Sequence, residues 1–227
     1  MRDDFGVLIL THGRANNVKT VKSLQKAGYT GKWYIVIDDE DDQEDEYRRI
    51  YGERVIQFCK EERARITDVG DTSKERRCII FARNEAFAIA RKLGLRYFIE
   101  LDDDYNNFEY LAETGKKLKH TKIKQIEKVF EAMITFLDVS NAKSVAMAQG
   151  GDLLGGVKDP RWKEQLLRKA MNSFIFRTDN PSNFVGRINE DVNTYVTGGQ
   201  RGELFFTTLR VMLNQEQTQK AKGGMSG

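Results

Sequence analysis

Three consecutive carboxylates, Asp102-Asp103-Asp104, close the apolar run Tyr97 to Leu101 (YFIEL). Like charges crowded at the end of a buried strand are costly unless a cation neutralises them. Alternate residues on extended backbone point the same way, so Asp102 and Asp104 can face one site. Two carboxylates suit Mg2+ or Mn2+ that also binds substrate phosphates. The other reading of the triplet is a solvated acidic turn. The chain has only two histidines, His12 and His120, which excludes a multi-His metal centre. Its two cysteines, Cys59 and Cys78, exclude a disulfide scaffold and a Cys-only zinc site. They read as two buried thiols in a reducing compartment.

Two more polar groups follow apolar runs. Thr11-His12-Gly13-Arg14 follows Phe5 to Leu10 (FGVLIL), and Asp38-Asp39 follows Trp33 to Ile37 (WYIVI). Gly13 permits close backbone approach, and Arg14 suits a phosphate. His12 is either structural or catalytic. An acid in the position of Asp38 or Asp39 can accept hydrogen bonds from a ribose or a base. The acidic run from Asp41 to Glu46 reads as a solvated face. Arg83, within Arg83-Asn84-Glu85-Ala86, suits either a base or diphosphate, or a surface salt bridge. Glu190 and Asp191 open a helix, where the macrodipole favours carboxylates. One placed there can also serve as a general base for an incoming hydroxyl. His120 lies between lysines and reads as exposed, with no evident partner. Basic residues cluster at Lys116, Lys117, Lys119, Lys122 and Lys124, and again at Arg161, Lys163, Arg168 and Lys169 around Trp162. Either cluster is a solvated helix face or a track for a phosphate backbone.

Alternating strands and helices must position these groups. Phe5 to Leu10 and Trp33 to Ile37 have the short, continuous apolar pattern of parallel strands buried on both faces. Asn16 to Ala27 between them has helical spacing, with Gly28 as its terminating glycine, which makes a βαβ unit. A short helix over Glu44 to Tyr51 and a strand over Val55 to Cys59 follow. Lys60 to Arg77 reads as a long surface loop, a kind of segment that is often functional. Further helices are expected over Cys78 to Leu93, Lys122 to Leu137 and Asn189 to Val196, the last ended by Gly198-Gly199. Strands are expected over Tyr97 to Leu101, Ser144 to Ala148, Ser173 to Arg177 and Leu204 to Leu213. A glycine-rich stretch, Gly150 to Gly156, and a polar end, Asn214 to Gly227, complete the chain. The pattern predicts an α/β fold with a mostly parallel sheet flanked by helices. In such sheets a ligand lies beyond the carboxyl ends of the strands, where the three polar groups converge.

The 227 residues suffice for one core, and no repeat or linker divides them. Charged residues make up 31%, yet 37 Lys+Arg against 34 Asp+Glu leave a net charge of only +3. That is far from the excess of a tail-type nucleic-acid binder. A 10% aromatic share argues against disorder. There is no apolar leader at the N-terminus and no run near the roughly 20 residues of a membrane span, so a soluble, cytoplasmic protein is expected.

Taken together, Thr-His-Gly-Arg after a strand, Ile-Asp-Asp, Ala-Arg-Asn-Glu-Ala on a helix and Glu-Leu-Asp-Asp-Asp resemble a GT-A glycosyltransferase. The segment Phe184 to Tyr195 (FVGRINEDVNTY) resembles more narrowly the TET-associated glycosyltransferase family of bacteriophages. That resemblance implies transfer of a sugar from a nucleotide (UDP) sugar to the hydroxymethyl group of a modified pyrimidine, such as 5-hydroxymethylcytosine, in phage DNA inside a host cell. It implies Asp102 and Asp104 as ligands of Mn2+ or Mg2+ and of the sugar diphosphate, with Asp103 among the residues that hold the nucleotide sugar. Thr11, His12, Arg14, Asp38, Asp39 and Arg83 would hold the nucleotide. Asp191, with Glu190 beside it, would activate the acceptor, and Gly198-Gly199-Gln200 would lie near it. Trp162 or Tyr105 would stack on an extruded base. Family members continue past the Gly-Gly-Met segment with more β-rich sequence. Residues 1–227 are therefore expected to form a single domain, with truncation at the C-terminus allowed.

Two other functions fit parts of this pattern. A nucleotidyltransferase shares the parallel sheet and the two-carboxylate metal site, but Thr11 to Arg14 is a poor match to its glycine-rich phosphate loop. A non-catalytic DNA-binding protein could keep the fold, though it would have no need of both Asp102 and Asp104.

Overall fold

β1 (Phe5–Leu10) is buried at every position, which places it at the centre of a sheet with helices on both faces. The computed structural model describes residues 1–73, 75–150, 152–153, 155–164 and 169–215. Of the sequence features above, Gly151, Leu154, Arg168, the side chain of Lys163 and residues 216–227 lie outside the described residues.

The elements run β1, α1 (Lys19–Lys26), β2 (Lys32–Asp38), α2 (Glu44–Tyr51), β3 (Val55–Phe58), α3 (Lys60–Ala64), α4 (Ile80–Lys92) and β4 (Tyr97–Asp102). Then come β5 (Tyr105–Thr114), β6 (Lys117–Lys122), α5 (Ile126–Ser140), β7 (Ser144–Gln149), α6 (Pro160–Glu164), β8 (Ile175–Arg177), α7 (Glu190–Gln200) and β9 (Phe205–Gln215). They build a nine-stranded sheet in the order β3-β2-β1-β4-β8-β7-β9-β5-β6. The strands β3, β2, β1 and β4 are parallel. Beyond β4 the sheet is mixed, since β8 runs antiparallel to β4 and β7, and β5 runs antiparallel to β9 and β6.

Alternating side chains of the central strands feed two cores. Val7, Ile9, Ile35, Ile37, Ile99 and Leu101 pack with Val21 and Leu24 of α1 and Phe130, Ile134 and Leu137 of α5. Leu8, Leu10, Val36 and Phe98 face the other way, onto Phe81, Phe87 and Ile89 of α4 and the rings of Phe174, Phe176 and Phe184. The carboxyl ends of β1, β2 and β4 meet on one rim, held in register by Leu10 opposite both Val36 and Asp102.

Several expectations need correction. Residues 117–122 form an edge strand, so the fifth helix starts at Ile126. The hairpin β5–β6 escaped notice because β6 (KLKHTK) is solvated on almost every residue and lacks an apolar alternation. Lys60 begins the short helix α3 rather than a loop. Asn16 and Asn17 lie in a 3-10 turn before α1, and Cys78 precedes α4. Gly198-Gly199 do not end α7, which continues to Gln200. A Cβ on Gly198 would stand 2.6 Å from the Phe205 ring, so close packing explains that glycine. Both cysteines are free and only half-buried. Among the described residues, no helix is long and apolar enough to cross a membrane.

Candidate active site

At the end of β1, the Thr11 hydroxyl donates to Asp103 at 2.6 Å and lies 2.9 Å from the Tyr47 hydroxyl. Arg14 donates from Nη1 to the other oxygen of Asp103 at 2.8 Å, and its amide donates to Tyr47. Asp103 therefore turns away from Asp102 and Asp104 and ties the first loop to the acidic turn. The backbone of that turn is held by α1, whose Thr20 hydroxyl donates to the Asp102 carbonyl at 2.6 Å.

At the end of β2, Asp38 lies between His12 Nδ1 at 3.0 Å and Lys60 Nζ at 3.2 Å. Asp38 and Lys60 are buried, whereas His12 remains substantially exposed. The hydrogen bond to Asp38 raises the His12 pKa. For Asp38, burial works upward, but His12 and Lys60 outweigh it and hold the carboxyl below its ordinary range. Asp39 is exposed and accepts the Lys60 amide at 2.8 Å, so its carboxylate anchors the start of α3. Asp41, read from the sequence as part of a wet face, is 5% exposed and accepts the Gly13 amide at 2.8 Å. Gln43 grips the same loop through Ala15 N–H and the Gly13 carbonyl.

The third group centres on Arg83, which is only 1% exposed. Its Nε donates to Glu190 at 3.0 Å, Nη1 to Glu100 at 3.4 Å, and Nη2 to Asp102 at 3.1 Å and to Asn172 at 3.3 Å. The guanidinium lies 5.7 and 5.8 Å from the ring centres of Phe174 and Phe184. Burial opposes its charge, but Asp102, Glu190 and Glu100 prevail and hold its pKa above the ordinary arginine value. Arg83 is thus neither an exposed nucleotide contact nor a surface salt bridge: it joins α4, β4 and α7 from inside.

Asp102, Glu100 and Asp191 are displaced upward. Burial, with Asp104, Asp103 and Glu190 nearby, pushes Asp102 to about 7 even against Arg83. Glu100 is fully buried, its Oε1 has no hydrogen-bond partner, and burial pushes it to about 8. Asp191 is 5% exposed, and burial and the adjacent Glu190 raise its pKa as well. The Asp191 carboxylate accepts the Val192 amide at 2.7 Å.

Asn84, next to Arg83, pairs with the backbone of Phe184 in both directions, at 3.0 and 2.8 Å. Arg187 reaches back to Asp71 and to the carbonyls of Ser73 and Glu75. Backbone bonds from Gly186 to Asp68 and from Arg187 to Val69 complete this strap. The loop after α3 and the segment before α7 are therefore one unit, which presents Glu190 and Asp191.

Sequence reasoning passed over Tyr47, Lys60, Asn84, Glu100, Asn172 and Arg187. Asn84 and Arg187 lie inside motifs that had been singled out, and a charged Glu100 within an apolar strand was itself a signal. The others carry no local mark. His120, expected to lack a partner, has Glu109 at 3.0 Å. Trp162 and Tyr105 are buried, at 2% and 0% exposure, so neither presents a ring for stacking on a base. A separate cavity of about 310 Å³, lined by Phe58, Cys59, Arg63, Ile66, Glu85 and Lys92 among others, contains none of the acids of these three groups.

Among the described residues, no three His, Cys, Asp or Glu side chains group as a metal cage. Asp102 and Asp104 are all-oxygen donors in a crowded acidic turn. That donor set fits a hard divalent cation completing its shell with phosphate and water.

A sheet whose parallel half ends in an acidic rim is the architecture of the GT-A glycosyltransferases. Three solved structures share it. One is TarS residues 1–349 of S. aureus, with 16% identity over 92% of this chain and 59% of that one, at a TM-score of 0.52. Another is the mannosyltransferase PcManGT of Pyrobaculum calidifontis in complex with GDP-Man and Mn2+, with 14% identity, 95% and 57% coverage, and a TM-score of 0.57. The third is glucosyl-3-phosphoglycerate synthase of Mycobacterium tuberculosis with Mn2+, UDP and phosphoglyceric acid, with 11% identity, 94% and 70% coverage, and a TM-score of 0.54. The chain thus spans 59% and 57% of the first two. A search of curated protein sequences finds no match. The profile of the TET-associated glycosyltransferases matches residues 5–224, and the chain belongs to that family.

Proposed function

We propose that this protein transfers a sugar from a UDP-sugar to the hydroxymethyl group of a modified pyrimidine, 5-hydroxymethylcytosine, in DNA. The observation that carries the reading is the Arg83 link, which joins Asp102 of the acidic rim to Glu190 beside Asp191. It sets a donor-binding rim and a candidate base on one rigid frame. Family membership and the Mn2+ and nucleotide-sugar complexes of the structural neighbours support it.

In this reading Asp38 and His12 meet the nucleoside, with Asp39 at the edge of the same loop. Thr11, Arg14 and Asp103 shape the cleft floor at the diphosphate. Asp102 and Asp104 would hold Mg2+ or Mn2+, which when bound neutralises charge on the leaving diphosphate. Arg83 keeps Asp102 and Glu190 in place. Asp191 takes the proton from the acceptor hydroxyl as the anomeric carbon gains oxocarbenium character. The raised pKa of Asp191 suits a base that must accept that proton. A base in a duplex must first leave the stack, at a cost of a few kcal/mol.

The test is UDP release from a panel of UDP-sugars with Mn2+, with and without DNA containing 5-hydroxymethylcytosine. Turnover that needs this DNA and disappears in Asp104→Ala and Asp191→Asn is the expected result. Pyrophosphate release, or no turnover with any UDP-sugar on any hydroxymethylated DNA, would overturn the reading.

A further inference from the structure

Residues 116–124 (KKLKHTKIK) carry five lysines and no acid, a larger charge than the +3 of the entire chain. The structure places them on the β5–β6 hairpin and its exit, at the outermost edge of the sheet. Cross-strand partners share a face, so Tyr110 opposite Thr121, Ala112 opposite Lys119 and Thr114 opposite Lys117 present one surface. Each of these six residues is exposed, and none is acidic. The hairpin's two acids, Glu109 and Glu113, lie on the opposite face, engaged by His120 and the Trp162 indole N–H.

We propose that this face binds the phosphate backbone of a nucleic acid, leading the strand to the acidic rim. Lysines on an edge strand also discourage sheet-to-sheet association, but Lys116 and Lys124 lie outside the strand. Elsewhere the chain pairs many of its surface cations. Arg48, Arg49, Arg65, Arg161 and Arg177 each hold a carboxylate. Among the described residues, none of the five hairpin lysines does.

Geometry supplies the rest. β5 starts at Tyr105, directly after Asp104, so the foot of the hairpin is the acidic turn itself. Ten residues of strand reach about 30 Å, the length of roughly nine base pairs at about 3.4 Å each. Tyr110, at 39% exposure, offers a ring on that surface, as the buried Tyr105 and Trp162 do not. The second basic cluster is a weaker candidate, since Arg161 is held by Asp159.

The proposal rests on the acceptor being nucleic acid, but its test needs no sugar donor. Fluorescence anisotropy with a labelled 20-base-pair duplex, and with the matching single strand, gives affinity across a salt series. The triple variant Lys116→Gln, Lys117→Gln, Lys119→Gln should bind at least about tenfold more weakly. Its dependence of log K on log salt should be shallower by about one for each lysine that meets a phosphate. A control triple, Arg48→Gln, Arg49→Gln, Arg65→Gln, removes the same charge from ion-paired sites and should bind like wild type. Equal losses in the two triples, or an unchanged salt slope in the first, would overturn the proposal. So would competition by polyglutamate as effective as that of duplex, which would mark a surface for acidic protein. Transfer to a free 5-hydroxymethylcytosine nucleoside should be the same in the lysine variant and wild type. Failure of that transfer in both proteins would count against the proposed reaction and leave the binding result standing.

Discussion

Arg83 holds the acidic rim and the start of α7 together from inside the protein. It is fully charged among Asp102, Glu100 and Glu190, and 1% exposed. Removing one partner of a buried ionic cluster leaves the others without compensation, at a cost of about 3–5 kcal/mol. Arg83→Met should destabilise the fold by that amount in urea unfolding, and a loss below about 1 kcal/mol would show the cluster to be dispensable. The His12–Asp38 pair makes a different prediction. The hydrogen bond to Asp38 holds the His12 pKa above the ordinary 6.5, so its contribution is complete below 6.5 and fades as pH rises through the raised value. Asp38 titrates below 3.8, so its contribution is present above 3.8 and fades as pH falls through the lowered value. The pair should therefore stabilise most between those limits. Thermal midpoints of wild type and His12→Gln should differ most in that window and converge above it. A difference independent of pH would remove the ion pair from the account.

At the scale of elements, the join between α1 and β2 is closely packed against the entry to α5. Gly28 has φ +80°, and a Cβ there would approach the Lys124 carbonyl oxygen to 2.4 Å. Lys124 leads into α5, and the Ile126 amide donates to the Ala27 carbonyl, so the two helices are fastened at this glycine. Gly28→Ala should cost more than about 1 kcal/mol, because both the backbone conformation and the contact are lost. Thermal or urea unfolding measures it, and a neutral effect would mean the α5 entry shifts freely. The buried strands were legible because both of their faces are covered, so their residues are almost all apolar. β6 was not legible, because an edge strand in water needs no apolar face. Its identity comes from the hydrogen bonds of β5, whose partners are spread over Lys117 to Lys122.

At the scale of the molecule, the site depends on contacts that close over long stretches of chain. Arg83 and Glu190 are 107 residues apart, and Asn84 and Phe184 are 100 apart. A stack of Phe87, Phe98, Phe174, Phe176 and Phe184 packs α4, β4 and β8 against the segment that leads to α7. The charge distribution is equally global. Residues 116–124 carry five lysines and no acid against a net charge of +3, so the remainder of the chain is slightly acidic. The lysine variants test that asymmetry directly.

The sequence by itself determined the strands of the parallel half, the helices α1, α2 and α4 between them and the polar residues at their carboxyl ends. Apolar periodicity is local, and a strand that must be buried announces itself. It also marked the acidic triplet and the Gly-Arg-Ile-Asn-Glu-Asp segment as candidates, which Arg83 joins in the structure. The tertiary structure alone decided which acids meet. It turned Asp103 toward Arg14, gave Asp39 to α3, sealed Arg83 among three carboxylates and buried the aromatic rings of Tyr105 and Trp162. The reason is physical: a charged side chain carries no mark of its partner, and its environment exists only once distant segments have packed around it.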